Sequence, residues 1–412
     1  MGQLAWCSYD WANSAFPTVI VTFVFAAYFA KGVATDEITG TSQLSFAISL
    51  SMLATALLSP LLGAVADHAG RRKPWIAAFT LLMITATALL WFALPKATDV
   101  FWILVCFALA NFAFETATVF YNAMLPAIAS PSTIGRLSGW GWGLGYLGGL
   151  ACLITALVLL IRPDPPFFGL DAALAEPVRA TALLVSGWMA LFALPFFLLT
   201  PDRPGSGLSV AEAMRRGFAT LRGTVTQLRR FRQIALFLLA HMIYADGLNT
   251  LFSVGGIYAA VTFGMNFEEL LLFGIALNVT AGAGAFAFGW VDDAIGPKHT
   301  ILIALAAIGV LGAATLVVDT KLLFWAFALP MGIFLGPAQS ASRSLMARIA
   351  PPEVTTEMFG LYALSGKATA FIGPAIFGWV TALSGSQRIG LATILTFLAL
   401  GAALLWPVQV KR

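Results

Sequence analysis

The sequence predicts an all-α membrane protein, with twelve transmembrane helices arranged as two related six-helix bundles. Three observations carry that expectation. Of 412 residues, 59% are hydrophobic and only 10% are charged, against about a quarter charged in a soluble chain. Apolar stretches long enough to cross ~30 Å of hydrocarbon recur along the whole length, and the mean hydropathy is +0.88. Finally, three ordered segments of the first half return in the second. The net charge of +4 does not point to nucleic acid, because the cations concentrate in loops where membrane topology accounts for them. Cys7, Cys106 and Cys152 all lie in apolar stretches and suggest neither disulfides nor a metal site.

Taken in order, the spans fall near 5–30, 42–66, 74–94, 100–125, 137–161, 179–200, 233–260, 268–291, 300–318, 322–347, 357–383 and 388–407. No cation precedes the first, and its apolar stretch is too long for a cleaved signal peptide. Spans two and three are joined by Gly63-Ala-Val-Ala-Asp-His-Ala-Gly-Arg-Arg-Lys73, a tight charged hairpin. Gly63 and Gly70 free the backbone for a sharp turn and a close helix approach. Asp67 and Arg71 are near enough in sequence to pair across that turn. Span five holds Gly143-x-Gly145-x-x-Gly148, a literal dinucleotide fingerprint, but no strand precedes it and that reading fails. Gly141, Gly145 and Gly149 instead form a ridge of small residues at spacing four, for which Gly282, Ala283, Gly284 and Ala285 of span eight offer a partner surface.

Residues 201–232 are the sizeable soluble segment, a linker between bundles 1–200 and 233–412. Pro201, Pro204, Gly205 and Gly207 break the chain, and Ser209-Val-Ala-Glu212 reads as a capping box. Met214, Phe218, Leu221, Val225 and Leu228 recur at three and four, one helical face. Arg215, Arg216, Arg222, Arg229 and Arg230 occupy the rest, which predicts a basic amphipathic helix in the membrane interface. A partner-binding switch is the alternative. With the N-terminus inside, 16 of the 23 cations face the cytoplasm, six face out, and Lys367 lies within a span. That excess places both termini in the cytoplasm.

The repeat is ordered. Asp10-x-x-Asn13-x-x-Phe16 matches Asp246-x-x-Asn249-x-x-Phe252 at an offset of 236. Gly63, Asp67, Gly70 and Arg72 match Gly289, Asp293, Gly296 and Lys298 at 226, and Ile128, Pro131, Gly139 and Gly145 match Ile349, Pro352, Gly360 and Gly366 at 221. The offset shrinks steadily, as loop-length differences require. Two bundles related by an axis along the membrane normal, with a site between them near the midplane, is the architecture this predicts.

The Gly63–Lys73 hairpin resembles the signature loop between helices two and three of the major facilitator superfamily, G-x-x-x-D-[RH]-x-G-[RK]-[RK]. A narrower resemblance lies in Ser8-Tyr-Asp-Trp-Ala-Asn-Ser-Ala-Phe16, Gly336-Pro-Ala-Gln-Ser-Ala-Ser-Arg-Ser344 and Gly360-Leu-Tyr-Ala-Leu-Ser-Gly-Lys-Ala-Thr369. Together they resemble the bacterial relatives of the vacuole-effluxer family, whose fungal member is associated with amino-acid release from the vacuole. The resemblance covers essentially the whole chain. It implies the major facilitator fold and a secondary active transporter that works by alternating access as a monomer in the bacterial inner membrane. It also implies a gate built on Gly63, Asp67, Gly70, Arg71 and Arg72 with Gly289 and Asp293, in which Asp67 faces the N-terminal end of helix eleven.

A charge near the bilayer centre costs about 2.5–3.5 kcal/mol on insertion scales, so each one wants a reason. Glu115 and Asp246 lie deep in spans four and seven, Lys367 is near the middle of span eleven, and Asp10 is shallower in span one. One reading is structural: Lys367 neutralises Asp246, and Glu115 is an acid hydrogen-bonded across helices. The functional reading makes Glu115, Asp10 and Asp246 the proton-coupling groups. Asn13, Asn111, Asn249, Gln339 and Lys367 then offer donors and acceptors to a small solute. His241 could join a proton relay or be structural. The mix suits a small zwitterion such as an amino acid, with an amphipathic drug as the alternative cargo. A membrane-embedded enzyme and a non-transporting receptor are the rival classes; no cofactor, metal or nucleophile–base motif supports the former.

Overall fold

The computed structural model describes residues 1–208, 210–226 and 231–410. Helices joined by short loops make up these residues, and no strand occurs among them. In order they are α1 (Gly2–Val33), α2 (Glu37–Ala69), α3 (Lys73–Phe92), α4 (Val100–Ile128), α5 (Ile134–Ile161), α6 (Glu176–Leu199) and α7 (Val210–Thr226). There follow α8 (Arg232–Phe263), α9 (Phe267–Ile295), α10 (Pro297–Val317), α11 (Lys321–Ile349), α12 (Thr355–Lys367), α13 (Ile372–Ser384) and α14 (Gln387–Leu405). Eleven of the described helices are long and apolar enough to cross a membrane. Phe46, Phe101 and Val310 on their outer faces are 71%, 78% and 71% exposed, which is stable only against lipid. The protein is therefore an integral, multi-pass membrane protein.

Span eleven departs from expectation. In place of a continuous helix over 357–383, α12 and α13 are separated by a turn at 368–371. Pro374 accounts for the break, since it has no N–H to give the Ala370 carbonyl and its ring crowds that group. The turn bonds itself instead, Ala370 N to Lys367 O at 3.3 Å and Ile372 N to Thr369 O at 2.7 Å. Span one is continuous but irregular. Pro17 opens a wide π-type stretch over Phe16–Phe23, and a second covers Phe29–Val33. Such widened turns are uncommon and often mark functional positions.

The chain packs as two compact units. The first comprises Met1–Leu57, Gly70–Met124 and Leu144–Ser206. Its core is aromatic: Trp6 stacks on Tyr121 at 4.3 Å, Tyr9 packs on Phe196 at 4.9 Å, and Trp75 and Phe79 stack on Phe120. Asp202 fixes the start of α3 by accepting from the amides of Arg72 and Lys73 at 3.1 and 3.0 Å. Arg72 itself is buried, its Nη1 donating to Ala123 O at 2.8 Å. The second unit comprises Leu58–Ala69, Leu125–Gly143 and Gly207–Arg412. In it α8 packs on α12, α13 and α14, and α11 packs on α9 and α10. A capping box, Asn266 with Glu269, opens α9, and Lys321 at the start of α11 reaches that Glu269 at 2.8 Å.

The glycines of α5 serve two faces, and the expected ridge has a different partner from the one expected. Gly145 and Gly149 lie against Ser14 and Thr18 of α1. Gly139 and Gly143 lie against the carbonyls of Ala285 and Gly282 on α9. Residues two apart on a helix point about 200° apart, so Gly143 and Gly145 cannot share a partner. Span eight is thus not the surface that receives Gly145 and Gly149, and its Gly284 instead takes the backbone of Ile333 on α11. The capping residue Ser209, and Leu228, Arg229 and Arg230 of the expected amphipathic helix, lie outside the described residues.

Candidate functional site

Two carboxylates define the site, each fixed on the first turn of another helix. Asp67, near the end of α2, accepts from Thr356 N at 2.7 Å, Glu357 N at 3.0 Å and Thr356 Oγ1 at 2.6 Å. Asp293, near the end of α9, accepts from Gly135 N at 2.8 Å and Arg136 N at 3.2 Å. Thr356 and Glu357 are the second and third residues of α12; Gly135 and Arg136 are the second and third of α5. The acceptors differ by 226 in number and the donors by 221. These are the offsets of the internal repeat, so one contact is built twice. An anion at a helix start is stabilised by the unpaired amides and the helix dipole together.

The same repeat sets the helix crossings. A Cβ on Gly63 would come 2.5 Å from Thr356 O, and one on Gly360 2.5 Å from Ser59 O. At the equivalent crossing a Cβ on Gly289 would lie 2.9 Å from Arg136 Cα, and Gly139 meets Ala285 O. Only a residue without a side chain lets these backbones meet. Gly70 ends α2 with a φ of +88°, a left-handed conformation suited to glycine.

The charges around the two contacts differ. Asp293 also takes Arg136 Nε at 2.8 Å and Arg348 Nη2 at 3.2 Å, and the adjacent, buried Asp292 lies 3.5 Å from the same Arg348 nitrogen. Arg348 Nη1 further holds Pro131 O. One turn on, buried Arg343 donates to Ser138 Oγ and O at 2.9 and 2.6 Å. Around Asp67 the Thr356 hydroxyl is one of the donors. Arg71 makes no salt bridge among the described residues, so the expected pairing across the hairpin is not formed; its guanidinium lies beside Gly205. Asp67 directs both oxygens to α12 instead, where three donors are already aligned.

The predicted groups within the spans are placed as follows. Asp10 accepts from the Tyr121 hydroxyl at 2.9 Å, and Asn13 Nδ2 donates to Thr118 Oγ1 at 3.1 Å. Asn111 Nδ2 donates to Ser51 Oγ at 2.7 Å, and half-buried Glu115 sits one turn further along α4. On α8, Asn249 Nδ2 reaches Gly366 O at 3.4 Å, at the C-terminal end of α12, and His241 bonds Ser365 Oγ at 2.8 Å while stacking on Tyr362. Gln339 is half-buried on α11. Asp246 does not pair with Lys367. Its Oδ1 accepts from Gly373 N at 3.1 Å, and it makes no salt bridge among the described residues. The break in span eleven exposes a helix start at that point, and the carboxylate takes the amide there; Lys367 is the last residue of α12.

The unequal depths expected for Asp10 and Asp246 have a simple cause. With the offset of 236, Gly2 corresponds to Leu238, so the first six residues of α8 precede the counterpart of the start of α1. The resemblance places Asp67 at the N-terminal end of helix eleven, where Thr356 and Glu357 donate to it, and the repeat offset carries that contact to Gly135 and Arg136. The sequence missed Arg348, Asp202 and Gly373 as partners, and the Arg136 side chain as well. Nothing local announces them.

Eleven described helices of membrane length with the broken span α12–α13, and two loop-end contacts that repeat as a pair, are the architecture of a major facilitator superfamily transporter. The crystal structure of FucP, a transporter of that superfamily in the outward conformation, superposes with a TM-score of 0.79 at 12% identity, over 100% of this chain and 99% of that one. The proton:xylose symporter XylE bound to 6-bromo-6-deoxy-D-glucose gives 0.75 at 14%, over 100% and 96%. Within the superfamily, the chain belongs to the vacuole effluxer Atg22-like family, whose model matches residues 30–412. It is 25% identical over 406 residues to the uncharacterized MFS-type transporter YxiO of Bacillus subtilis, covering 97% of this chain and 93% of that one. It is 23% identical to autophagy-related protein 22 of Coccidioides immitis, covering 91% and 74%. These relatives are transporters and effluxers, not enzymes.

Proposed function

We propose that this transporter moves a small solute, an amino acid or similar zwitterion, by proton-coupled alternating access. In this reading bundles 1–200 and 233–412 rock about a central site, 201–232 tethers them, and both termini face the cytoplasm of the bacterial inner membrane. The monomer is the working unit. The observation that carries the reading is the duplicated latch, Asp67 on α12 and Asp293 on α5. A carboxylate at a helix start contributes up to ~2 kcal/mol, so two contribute at most ~4 kcal/mol. That lies below the ~5.5 kcal/mol of differential binding that carries a two-state equilibrium from 1:99 to 99:1. A solute that binds the open state more tightly by that margin opens latches that hold without it.

Proton coupling rests on the acids placed within the spans. Protonating Glu115 would remove a charge that is costly in hydrocarbon and let the cavity close without burying an anion; Asp10 and Asp246 are the next groups in line. Asn13, Asn111, Asn249, Gln339 and Lys367 supply the donors and acceptors a zwitterion needs. Purified protein in sealed liposomes tests both parts with a panel of amino acids. Gradient-driven uptake should occur in the parent chain and be lost in Glu115→Gln, while exchange of solute for solute survives. Uptake indifferent to the gradient would contradict proton coupling, and no flux of any amino acid would contradict the cargo class.

A further inference from the structure

Helix α7 divides its surface into three faces: one docked on α2, one apolar and one basic, with Met214, Phe218, Arg215 and Arg222 exposed. Ala213, Gly217 and Thr220 form the docked face. Ala213 is 1% exposed, a Cβ on Gly217 would come 2.8 Å from Val65 N, and Thr220 Oγ1 lies 2.8 Å from His68 Nε2. The small residues let α7 lie directly on the last turns of α2. About 100° around the helix come Met214, Phe218 and Leu221, and the first two are 56% and 63% exposed. A further ~80–100° on come Arg215 and Arg222, both exposed. Glu212 pairs with Arg215 and Arg216 at 3.2 and 2.7 Å, which leaves this helix with three arginines to one acid over 210–223.

We infer that α7 docks on an anionic lipid surface, with Met214 and Phe218 inserted among the headgroups and Arg215 and Arg222 on lipid phosphates. Depth supports it: α7 meets α2 at Ala64–His68, where the apolar span gives way to Asp67 and His68, the change in polarity that marks the end of a membrane span. Charge supports it as well, because the arginines border the apolar stripe on the side away from α2. An amphipathic helix of this kind binds through its buried apolar area and its attraction to anionic lipids together. The inference concerns the lipid surface alone and stands apart from cargo and proton coupling.

The native cysteines Cys7, Cys106 and Cys152 are buried, so Met214→Cys in the full-length chain can be labelled selectively with a polarity-sensitive dye. The labelled protein is reconstituted in phosphatidylcholine alone and with rising fractions of phosphatidylglycerol. The emission should shift to the blue as phosphatidylglycerol increases, and salt should reverse much of the shift. Arg215→Gln with Arg222→Gln should remove more than half of the lipid-dependent shift. Phe218→Ser should reduce it too, with elution in detergent unchanged as the check on folding. Emission that is the same in both lipids would overturn the inference. So would a shift that survives loss of both arginines, or one that appears only when a soluble protein fraction is added.

Discussion

The Asp67 and Asp293 contacts share a backbone design and differ in chemistry, and the difference separates what the repeat requires from what each half added. Both place a carboxylate on the second and third amides of a helix across a glycine crossing. At Asp67 the third donor is the neutral hydroxyl of Thr356; at Asp293 it is the guanidinium of Arg136, joined by Arg348 and a second acid, Asp292. The counterpart of Arg136 under the 221 offset is Glu357, a residue of opposite charge. The capping contact is therefore what the two halves share, and the Arg136 and Arg348 ion pairs reinforce it at Asp293.

Removing the acids should expose that asymmetry. Asp293→Asn leaves Arg348 with Asp292 and removes the carboxylate that Arg136 holds among the described residues. Breaking a buried pair costs 3–5 kcal/mol, which partial exposure of these arginines, 36% and 18%, reduces to about 2–3 kcal/mol. Asp67→Asn keeps one oxygen and loses a charge at a helix start, about 1 kcal/mol for its contact with α12. Melting in detergent at fixed pH measures both, and equal losses would refute the ranking. The glycines should follow in size. Gly63→Ala forces a methyl against Thr356 O and should cost about 1–3 kcal/mol, while Gly289→Ala, with more room against Arg136, should cost less. A reversed order would mean that the two crossings relax differently from their static spacing.

The Asp67 side also carries α7, and its effect should be the smallest. Arg216 and then Arg215 hold Glu212 below the usual carboxylate range. Because the folded value is depressed, the contribution is present above the unfolded carboxylate value and fades as pH falls through the lowered one. Labelling at Met214→Cys, followed by dye mobility, should thus be constant near neutrality and loosen only in acid. Glu212→Gln should be loose at every pH. A transition near pH 7 would point to another group.

Much of this was legible beforehand. Apolar run lengths locate the spans, and the offsets of 226 and 221 pair the residues of the repeated contact, whereas Asp10 and Asp246, paired at 236, take unlike partners. The break in span eleven was not, because Pro374 lies inside an otherwise unbroken apolar run and membrane helices often carry proline with only a kink. The partner of Asp246 was missed for the same reason, since a continuous helix would have offered it no free amide. Arg136 and Arg348 read as ordinary loop cations, and no local pattern tells a topological charge from one that closes on an acid 157 or 55 residues away.

The central claim is that the two carboxylates together hold the loop ends of α2 and α9 closed. Ser59 is 1% exposed and lies at the α2–α12 crossing against Gly360. The rate at which a membrane-impermeant maleimide labels Ser59→Cys from the loop face of sealed vesicles therefore reports the latch directly. Labelling should be slow in the parent, faster in Asp67→Asn and in Asp293→Asn, and fastest when both are changed. The same slow rate in all four proteins would contradict the latch.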